Sequence, residues 1–173
     1  MNTAIFFADG FEEIEGLTVV DMFRRAGIPI QTVSISDSLT VTGSHDIKVQ
    51  ADCLLADFDF NTVEMLILPG GMPGTLNEEA SPVVQAAIDY CVKNDRYVSA
   101  ICAAPSILGR KGLLEGKTAV CYPGFETALT GAAIGSEGVV QDGKFITARG
   151  AGVAVDLDRK STRLNSSHTR GSR

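Results

Sequence analysis

The chain has 173 residues, 45% of them hydrophobic, which suffices for one domain with a full core but not for two ordinary domains. Residues 1–158 carry ten basic and 21 acidic side chains, a formal charge of −11, and this acidity excludes binding to nucleic acid phosphates. No apolar run approaches the roughly 20 residues of a membrane span, and the N-terminal segment lacks the basic start of a secretory signal, so we expect no membrane partner.

Strand-like and helix-like segments alternate along the chain. A strand is predicted over residues 3–8, followed by a helix to about Ala26 with Asp9 as its N-cap and Glu12 reaching back to it. Further strands are predicted over residues 30–35, 65–68, 97–101 and 118–121, helices over 82–92, 103–111 and 125–130, and hairpins over 39–50 and 139–148. This alternation indicates a mainly parallel sheet with helices on both faces, a three-layer α/β/α sandwich.

The last 16 residues differ from the rest of the chain. Residues 158–173 contain one apolar side chain, Leu164, and five of the 15 basic ones, and they show no helical period. We therefore expect residues 1–157 to form the domain and residues 158–173 to be a disordered basic tail. The tail also resembles a translated sequencing-adapter read-through fused to a truncated gene, so we expect the last helix, which begins near Val153, to be cut off.

Cys102 lies where a predicted strand ends and a helix begins. Backbone N–H groups at a helix start favour a thiolate, but position alone leaves two alternatives, a reactive thiol or a small buried residue. Ligands of parallel sheets collect at the carboxyl ends of the strands. The loops that begin at Asp9, Pro69 and Cys102 all follow predicted strands. Their convergence on one crevice favours a reactive Cys102 whose thiol pKa is lowered.

A reactive cysteine needs a group that accepts its proton. Histidine is the usual partner, but the chain contains only His45 and His168, which disfavours protease and glutaminase chemistry. Carboxylates remain, because three glutamates open the first helix. Glu15 is predicted to face the crevice, whereas Glu12, used in capping, and Glu13 are expected to be solvated.

The other three cysteines, Cys53, Cys91 and Cys121, are interpreted as core thiols. They show no paired spacing and no secretory context, which indicates reduced thiols in a cytoplasmic protein. No cluster in the sequence has the spacing of metal ligands, and no glycine-rich segment matches a nucleotide-binding loop. We therefore expect neither a metal nor a cofactor.

Five segments occur in the order typical of one family. They are residues 7–15 (FADGFEEIE), 21–27 (DMFRRAG), 68–71 (LPGG), 100–105 (AICAAP) and 147–150 (TARG). Together they strongly resemble the ThiJ/PfpI superfamily, in the branch of the parkinsonism-associated deglycase and its bacterial YajL relatives. The resemblance covers residues 3 to about 157 and implies a flavodoxin-like fold and a homodimer.

The resemblance implies a role for each of four site residues. Cys102 corresponds to the nucleophilic, easily oxidised cysteine of the family, and Glu15 to the carboxyl group hydrogen-bonded to it. Gly71 and Ala103 correspond to residues that donate backbone N–H groups to an anion at the site.

Three further positions are implied to support the site. Arg25 matches a family arginine near the dimer interface, and His45 falls where relatives often carry Arg or His reaching in from the partner subunit. Tyr122 stands where the branch often has a histidine, so a Cys–His proton shuttle is not expected. Ala103 stands where the protease-like branch has a histidine, which disfavours proteolysis again.

The predicted function is that of a cofactor-independent cysteine enzyme of the glyoxalase III or deglycase type. Its substrates would be reactive 2-oxoaldehydes such as methylglyoxal and glyoxal, or their early adducts, and its products 2-hydroxy acids. One alternative is a redox-sensing, stress-response or holdase-like protein in which Cys102 oxidises to a sulfinate held by Glu15. Another is a structural family member without activity, which Tyr122 in place of histidine favours.

Overall fold

The computed structural model of the chain describes residues 2–169. The strands are β1 (Thr3–Phe7), β2 (Ile30–Ser34), β3 (Thr40–Thr42), β4 (Lys48–Gln50), β5 (Cys53–Leu54), β6 (Met65–Leu68), β7 (Tyr97–Ile101), β8 (Thr118–Ala119), β9 (Ala133–Ile134), β10 (Val139–Asp142) and β11 (Phe145–Ala148). The helices are α1 (Glu13–Arg25), α2 (Gly74–Ala80), α3 (Pro82–Lys93), α4 (Pro105–Arg110) and α5 (Ala154–Thr169). None of the helices described between residues 2 and 169 has the length and apolar character that crossing a lipid bilayer requires.

Seven strands form one sheet in the order β10-β11-β7-β6-β1-β2-β5. Every neighbouring pair is parallel except β10 and β11, which form the predicted antiparallel hairpin. Strand β1 and strand β6 are buried along their whole length, the pattern of parallel strands that helices cover on both faces. This architecture confirms the predicted three-layer α/β/α sandwich.

Alternate side chains of the central strands supply two cores. On one face, Phe7, Ile67 and Ile101 pack with apolar residues of α1 and α5. On the other face, Phe6 and Leu66 pack with apolar residues of α3 and α4. Because β1, β6 and β7 run parallel and in register, their carboxyl ends lie at one edge of the sheet. The chain segments that follow these three strands therefore meet there.

The C-terminal segment continues the last helix. Residues 158–169 belong to α5, while residues 170–173 lie outside the described residues, and the division of the chain into a domain over residues 1–157 and a tail over residues 158–173 stays a prediction. Leu157 is buried and Leu164, seven residues later, packs against the same core, because a seven-residue spacing returns to the same face of a helix. The sequence interpretation divided the chain between these two leucines and so missed their common face. The read-through origin of the segment stays a prediction.

Helix α2 was not predicted from the sequence. Its residues Thr75 and Glu78, three positions apart, both have fully buried side chains. Neither carboxyl oxygen of Glu78 has a hydrogen-bond partner among the described residues. Burial raises the pKa of the Glu78 carboxyl well above its ordinary value, and the nearby Glu15 charge adds to the effect. Glu78 is therefore a neutral acid in an apolar setting.

We expect Glu78→Met to raise the free energy of unfolding by about 1–3 kcal/mol, because an unsatisfied buried polar group is replaced by an apolar one of similar length. The gain should grow as the pH rises above the ordinary carboxyl value. Glu78 must take up a proton to fold, and proton uptake costs more at high pH. Urea unfolding at several pH values measures both effects. Glu115→Met, at an exposed position, is the control. If the free energies of unfolding of Glu78→Met and wild type differ by the same amount at every pH, Glu78 does not take up a proton on folding.

Deleting residues 159–173 should lower the free energy of unfolding by only about 1 kcal/mol, because the partly buried Leu164 is the apolar side chain that is lost. Leu157→Ala should cost about 2–5 kcal/mol, since Leu157 is fully buried in the α1–α5 layer. Chemical denaturation of both variants tests this ranking. If the deletion lowers the free energy of unfolding more than Leu157→Ala does, the far end of α5 stabilises the fold more than its burial indicates.

Candidate active site

Cys102 occupies the turn between β7 and α4 with a left-handed backbone, φ 63°. This conformation costs a residue with a side chain about 1–2 kcal/mol. Two hydrogen bonds from neighbouring strands and loops hold it in place: the Cys102 N–H donates to the Ala148 carbonyl at 2.9 Å, and the Cys102 carbonyl accepts from the Tyr122 N–H at 2.8 Å. The thiol of Cys102 is half-buried at the carboxyl edge of the sheet.

Glu15 reaches the same edge from the first turn of α1 and is 1% exposed. Its Oε2 accepts a hydrogen bond from the Gly70 N–H at 2.9 Å, and its carboxyl group is hydrogen-bonded to the Cys102 thiol and to the Ala151 N–H. A Cβ atom on Gly70 would lie 2.5 Å from the Cβ of Cys102 and 2.6 Å from Oε2 of Glu15. Only glycine therefore allows the pair to form beside this loop.

Burial raises the pKa of Glu15 to about 7, against the lowering effect of its hydrogen bonds to Cys102 and Gly70. Burial also raises the pKa of the Cys102 thiol to about 12, assisted by the charge and hydrogen bond of Glu15. The expected lowering of the thiol pKa is therefore wrong while Glu15 is ionised. The two groups titrate as a pair that holds one proton across this interval, and the charge lies mainly on the carboxylate, the group with the lower pKa.

Two backbone groups partly offset the rise in the thiol pKa. The N–H groups of Gly71 and Ala103 donate to the Cys102 sulfur and lower its pKa. Gly71 has φ 96°, and a Cβ there would collide with the backbone of Glu12 and Gly10. Helix α4 has only six residues, so its dipole contributes little beyond these two local donors.

Glu13 departs from its expected position in solvent, since it is 4% exposed. Its carboxylate accepts hydrogen bonds from the His45 N–H at 2.8 Å, from His45 Nδ1 at 3.0 Å and from the Ser44 hydroxyl at 3.2 Å. Burial works against ionisation, but the hydrogen bonds prevail and lower the pKa of Glu13 to about 2. Glu13 thus ties α1 to the β3–β4 hairpin.

The expected capping of α1 is also wrong. The helix begins at Glu13, and the Asp9 carboxylate accepts from the Thr42 N–H at 2.8 Å instead of capping the helix. Glu12, whose side chain makes no cap hydrogen bond, instead accepts a hydrogen bond from the Ser44 hydroxyl at 3.2 Å. The β3–β4 hairpin binds the carboxylates of Asp9 and Glu12 because its N–H and hydroxyl donors face this end of the sheet.

His45 is exposed and lies 3.0 Å from Glu13 and 3.6 Å from Glu12. The hydrogen bond that His45 makes to Glu13 and the charges of both glutamates raise the pKa of His45. The ligand atoms of the three residues lie within 4.8 Å of one another, a grouping that the sequence spacing did not reveal. When protonated, His45 offsets one of the two carboxylate charges there.

The remaining predicted site residues lie apart from the Cys102–Glu15 pair or at its rim. Arg25 is exposed at the far end of α1, about 15 Å along the helix from Glu15, and pairs with Asp21 at 2.6 Å. Tyr122 is half-exposed at the rim, where its ring borders Gly150 beside Glu15. The dimer roles of Arg25 and His45 stay predictions.

Sequence reasoning missed two residues that build the site. Gly70 donates to Glu15 and leaves the space for the pair, and Ala151 supplies a further N–H donor to the same carboxyl group. The proline–glycine–glycine segment at 69–71 was the available signal for Gly70, because paired glycines after a strand often mark a close backbone approach. No residue pattern marks Ala151.

Comparison with known proteins identifies relatives over nearly the whole chain. The DJ-1 homolog B of Arabidopsis thaliana is 35% identical over 152 residues, 87% of this chain, but the chain spans only 35% of that protein's length. The solved structure of oxidised Toxoplasma gondii DJ-1 is 30% identical, with a TM-score of 0.90 over 94% of this chain and 89% of that one.

A second solved structure, a cysteine-to-alanine mutant of a DJ-1 superfamily protein from Salmonella typhimurium, is 31% identical, with a TM-score of 0.89 over 95% of this chain and 90% of that one. The model of the DJ-1/PfpI family matches residues 1–163. The five sequence segments, the fold and these matches agree: the chain belongs to the DJ-1/PfpI family.

Proposed function

We propose that this protein is a cofactor-independent cysteine enzyme that converts reactive 2-oxoaldehydes such as methylglyoxal to 2-hydroxy acids. The observation that carries the proposal is the buried hydrogen-bonded pair of Cys102 and Glu15, with the N–H groups of Gly71 and Ala103 on the sulfur. The pair combines a nucleophile with an acid–base group whose pKa is about 7, as proton transfer at neutral pH requires.

The reaction begins with an ionised Glu15 and a protonated Cys102, the form that the two pKa values favour above pH 7, and Glu15 takes the thiol proton as the sulfur attacks. The sulfur adds to the aldehyde carbon, a carbon–sulfur bond forms, and the carbonyl electron pair moves to oxygen. The N–H groups of Gly71 and Ala103 stabilise this oxyanion, and the proton of Glu15 neutralises it. The product of the step is a hemithioacetal on Cys102, with Glu15 left as a carboxylate.

Glu15 then acts as the base. Its carboxylate removes the hydrogen on the hemithioacetal carbon to give an enediolate, and protonated Glu15 returns that proton to the neighbouring carbon. The hydroxyl proton of the first carbon moves to the oxygen of the second. The result is a 2-hydroxyacyl thioester on Cys102, which water hydrolyses to the 2-hydroxy acid and the free cysteine. One carbon is oxidised and its neighbour reduced, so the reaction needs water and no external oxidant or cofactor.

The residues near Cys102 fit a mechanism in which one side chain carries out all the proton transfers. His45, the histidine outside the C-terminal segment, is held by Glu13 at the hairpin. Tyr122 donates only its backbone N–H to the carbonyl of Cys102 in the described hydrogen bonds. The proton steps therefore fall to Glu15.

Cys102→Ser and Glu15→Gln should each lower lactate formation from methylglyoxal by a factor on the order of 100 to 10,000, because one removes the nucleophile and the other the proton carrier. Enzymatic assay of lactate measures the rate, and circular dichroism confirms that each variant folds. Cys53→Ser and Glu137→Gln serve as matched controls and should retain wild-type rates. Wild-type turnover by Glu15→Gln would remove Glu15 from the mechanism.

The pH dependence of Cys102 alkylation should depend on Glu15. In the wild type, reactivity with iodoacetamide should rise near pH 7, because Glu15 ionises there and can take the thiol proton as the sulfur is alkylated. In Glu15→Gln that step should vanish, and Cys102 should titrate as a single thiol below the wild-type value of about 12, since the neighbouring charge is gone. Identical profiles for the two proteins would contradict the shared proton.

A redox-sensing role is the second candidate. The donors around the sulfur, two N–H groups and a protonated Glu15, would also hold the oxygens of a sulfinate. The related Toxoplasma gondii DJ-1 was solved in an oxidised form. Lactate formation before and after mild peroxide treatment separates the two roles. A sensor without turnover would show no lactate in either state but would gain the mass of two oxygens at Cys102.

A further inference from the structure

A cavity of about 240 Å³ lies at the end of the sheet opposite to Cys102. It opens where β7 and β11 begin, between Arg96, Lys117 and Lys144, and Val92 and Phe145 form its apolar wall. Arg96 precedes β7 and Cys102 follows it, so the two ends are about 20 Å apart. This cavity is separate from the candidate active site.

The charge around the cavity is unbalanced. Three cations line it, and Asp95 is the single acid in the lining, which leaves a surplus of two positive charges. Asp95 lies 3.4 Å from Lys144 and is mostly exposed. Within the lining, Asp95 therefore offsets one of the three positive charges.

Lys144 and Arg96 each contact one carboxylate, that of Asp95 at 3.4 Å and that of Glu64 at 3.9 Å, and aromatic rings hold the two lysines as well. Lys117 forms no ion pair within residues 2–169, and its Nζ lies 5.6 Å from the centre of the Phe145 ring. Lys144 Nζ lies 4.3 Å from the centre of the Tyr97 ring. Ring contacts orient a cation without cancelling its charge.

Arg96 contributes its guanidinium group to the lining, and its contact to Glu64 is long, 3.9 Å. Guanidinium and ammonium groups together are typical ligands of phosphate.

We propose that this cavity binds a phosphate group, either free or carried by a small metabolite whose carbon skeleton contacts Val92 and Phe145. The surplus of two positive charges matches a phosphate dianion at neutral pH. The size and the apolar wall suit a small organic molecule better than a macromolecular partner. The site lies outside the Cys102 mechanism.

Titration calorimetry of the full-length protein with inorganic phosphate and with glycerol phosphate tests the proposal, against sodium acetate at equal ionic strength. We expect saturable binding of phosphate but not of acetate. Arg96→Gln and Lys117→Gln should each weaken it at least tenfold. Lys48→Gln, at an exposed position on β4, and Cys102→Ser should leave it unchanged. Tighter binding of glycerol phosphate assigns a phosphorylated metabolite, and equal binding assigns free phosphate.

Three results would overturn the proposal: no saturable binding, binding that survives both Arg96→Gln and Lys117→Gln, or binding that disappears in Cys102→Ser. The last result would place the phosphate on the N–H groups at Cys102. If Arg96→Gln fails to fold, Lys117→Gln decides alone, because Lys117 is partly exposed and contributes no ion pair to the described structure.

Discussion

The hydrogen bond between Glu15 and Cys102 is the constraint on which the site depends. The two residues come from different elements, the first turn of α1 and the end of β7, and meet because β1 and β7 present their carboxyl ends at one edge of the sheet. The contact requires a left-handed backbone at Cys102 and a glycine at position 70. Bringing the thiol and the carboxyl group together therefore requires a strained backbone at Cys102 and a buried carboxyl group at Glu15.

Burial is also what gives the pair its chemistry. An exposed glutamate would ionise well below neutrality and leave the thiol protonated beside a fixed negative charge. Removal from water raises the pKa of Glu15 to about 7, so at neutral pH its carboxyl group is partly ionised and can accept the thiol proton. The N–H groups of Gly71 and Ala103 partly offset the rise in the thiol pKa and stabilise the sulfur anion as it forms. A nucleophile and a base that takes its proton are therefore adjacent at neutral pH.

The sequence predicted the elements and residues whose signals are local. The strand ends followed by Asp9, Pro69 and Cys102 predicted the crevice, and helical spacing separated Glu15 from Glu13. The predicted direction of the Cys102 pKa was wrong because the prediction included the helix N–H donors alone. Burial of the thiol and the carboxyl group of Glu15, which the fold brings close, both raise this pKa. The role of Glu13 was missed for the same reason, since its partner His45 lies 32 residues away.

The protonation state of Glu15 is the most direct test of this account. Isotope-edited infrared spectroscopy of the Glu15 carboxyl group across pH, with thiolate absorbance followed in parallel, reports both members of the pair. The account predicts that the carboxyl group loses its proton near pH 7 and that full ionisation of the pair is reached only near pH 12. A carboxyl group that ionises near its ordinary value of 4.5, with an independently titrating thiol, would contradict it.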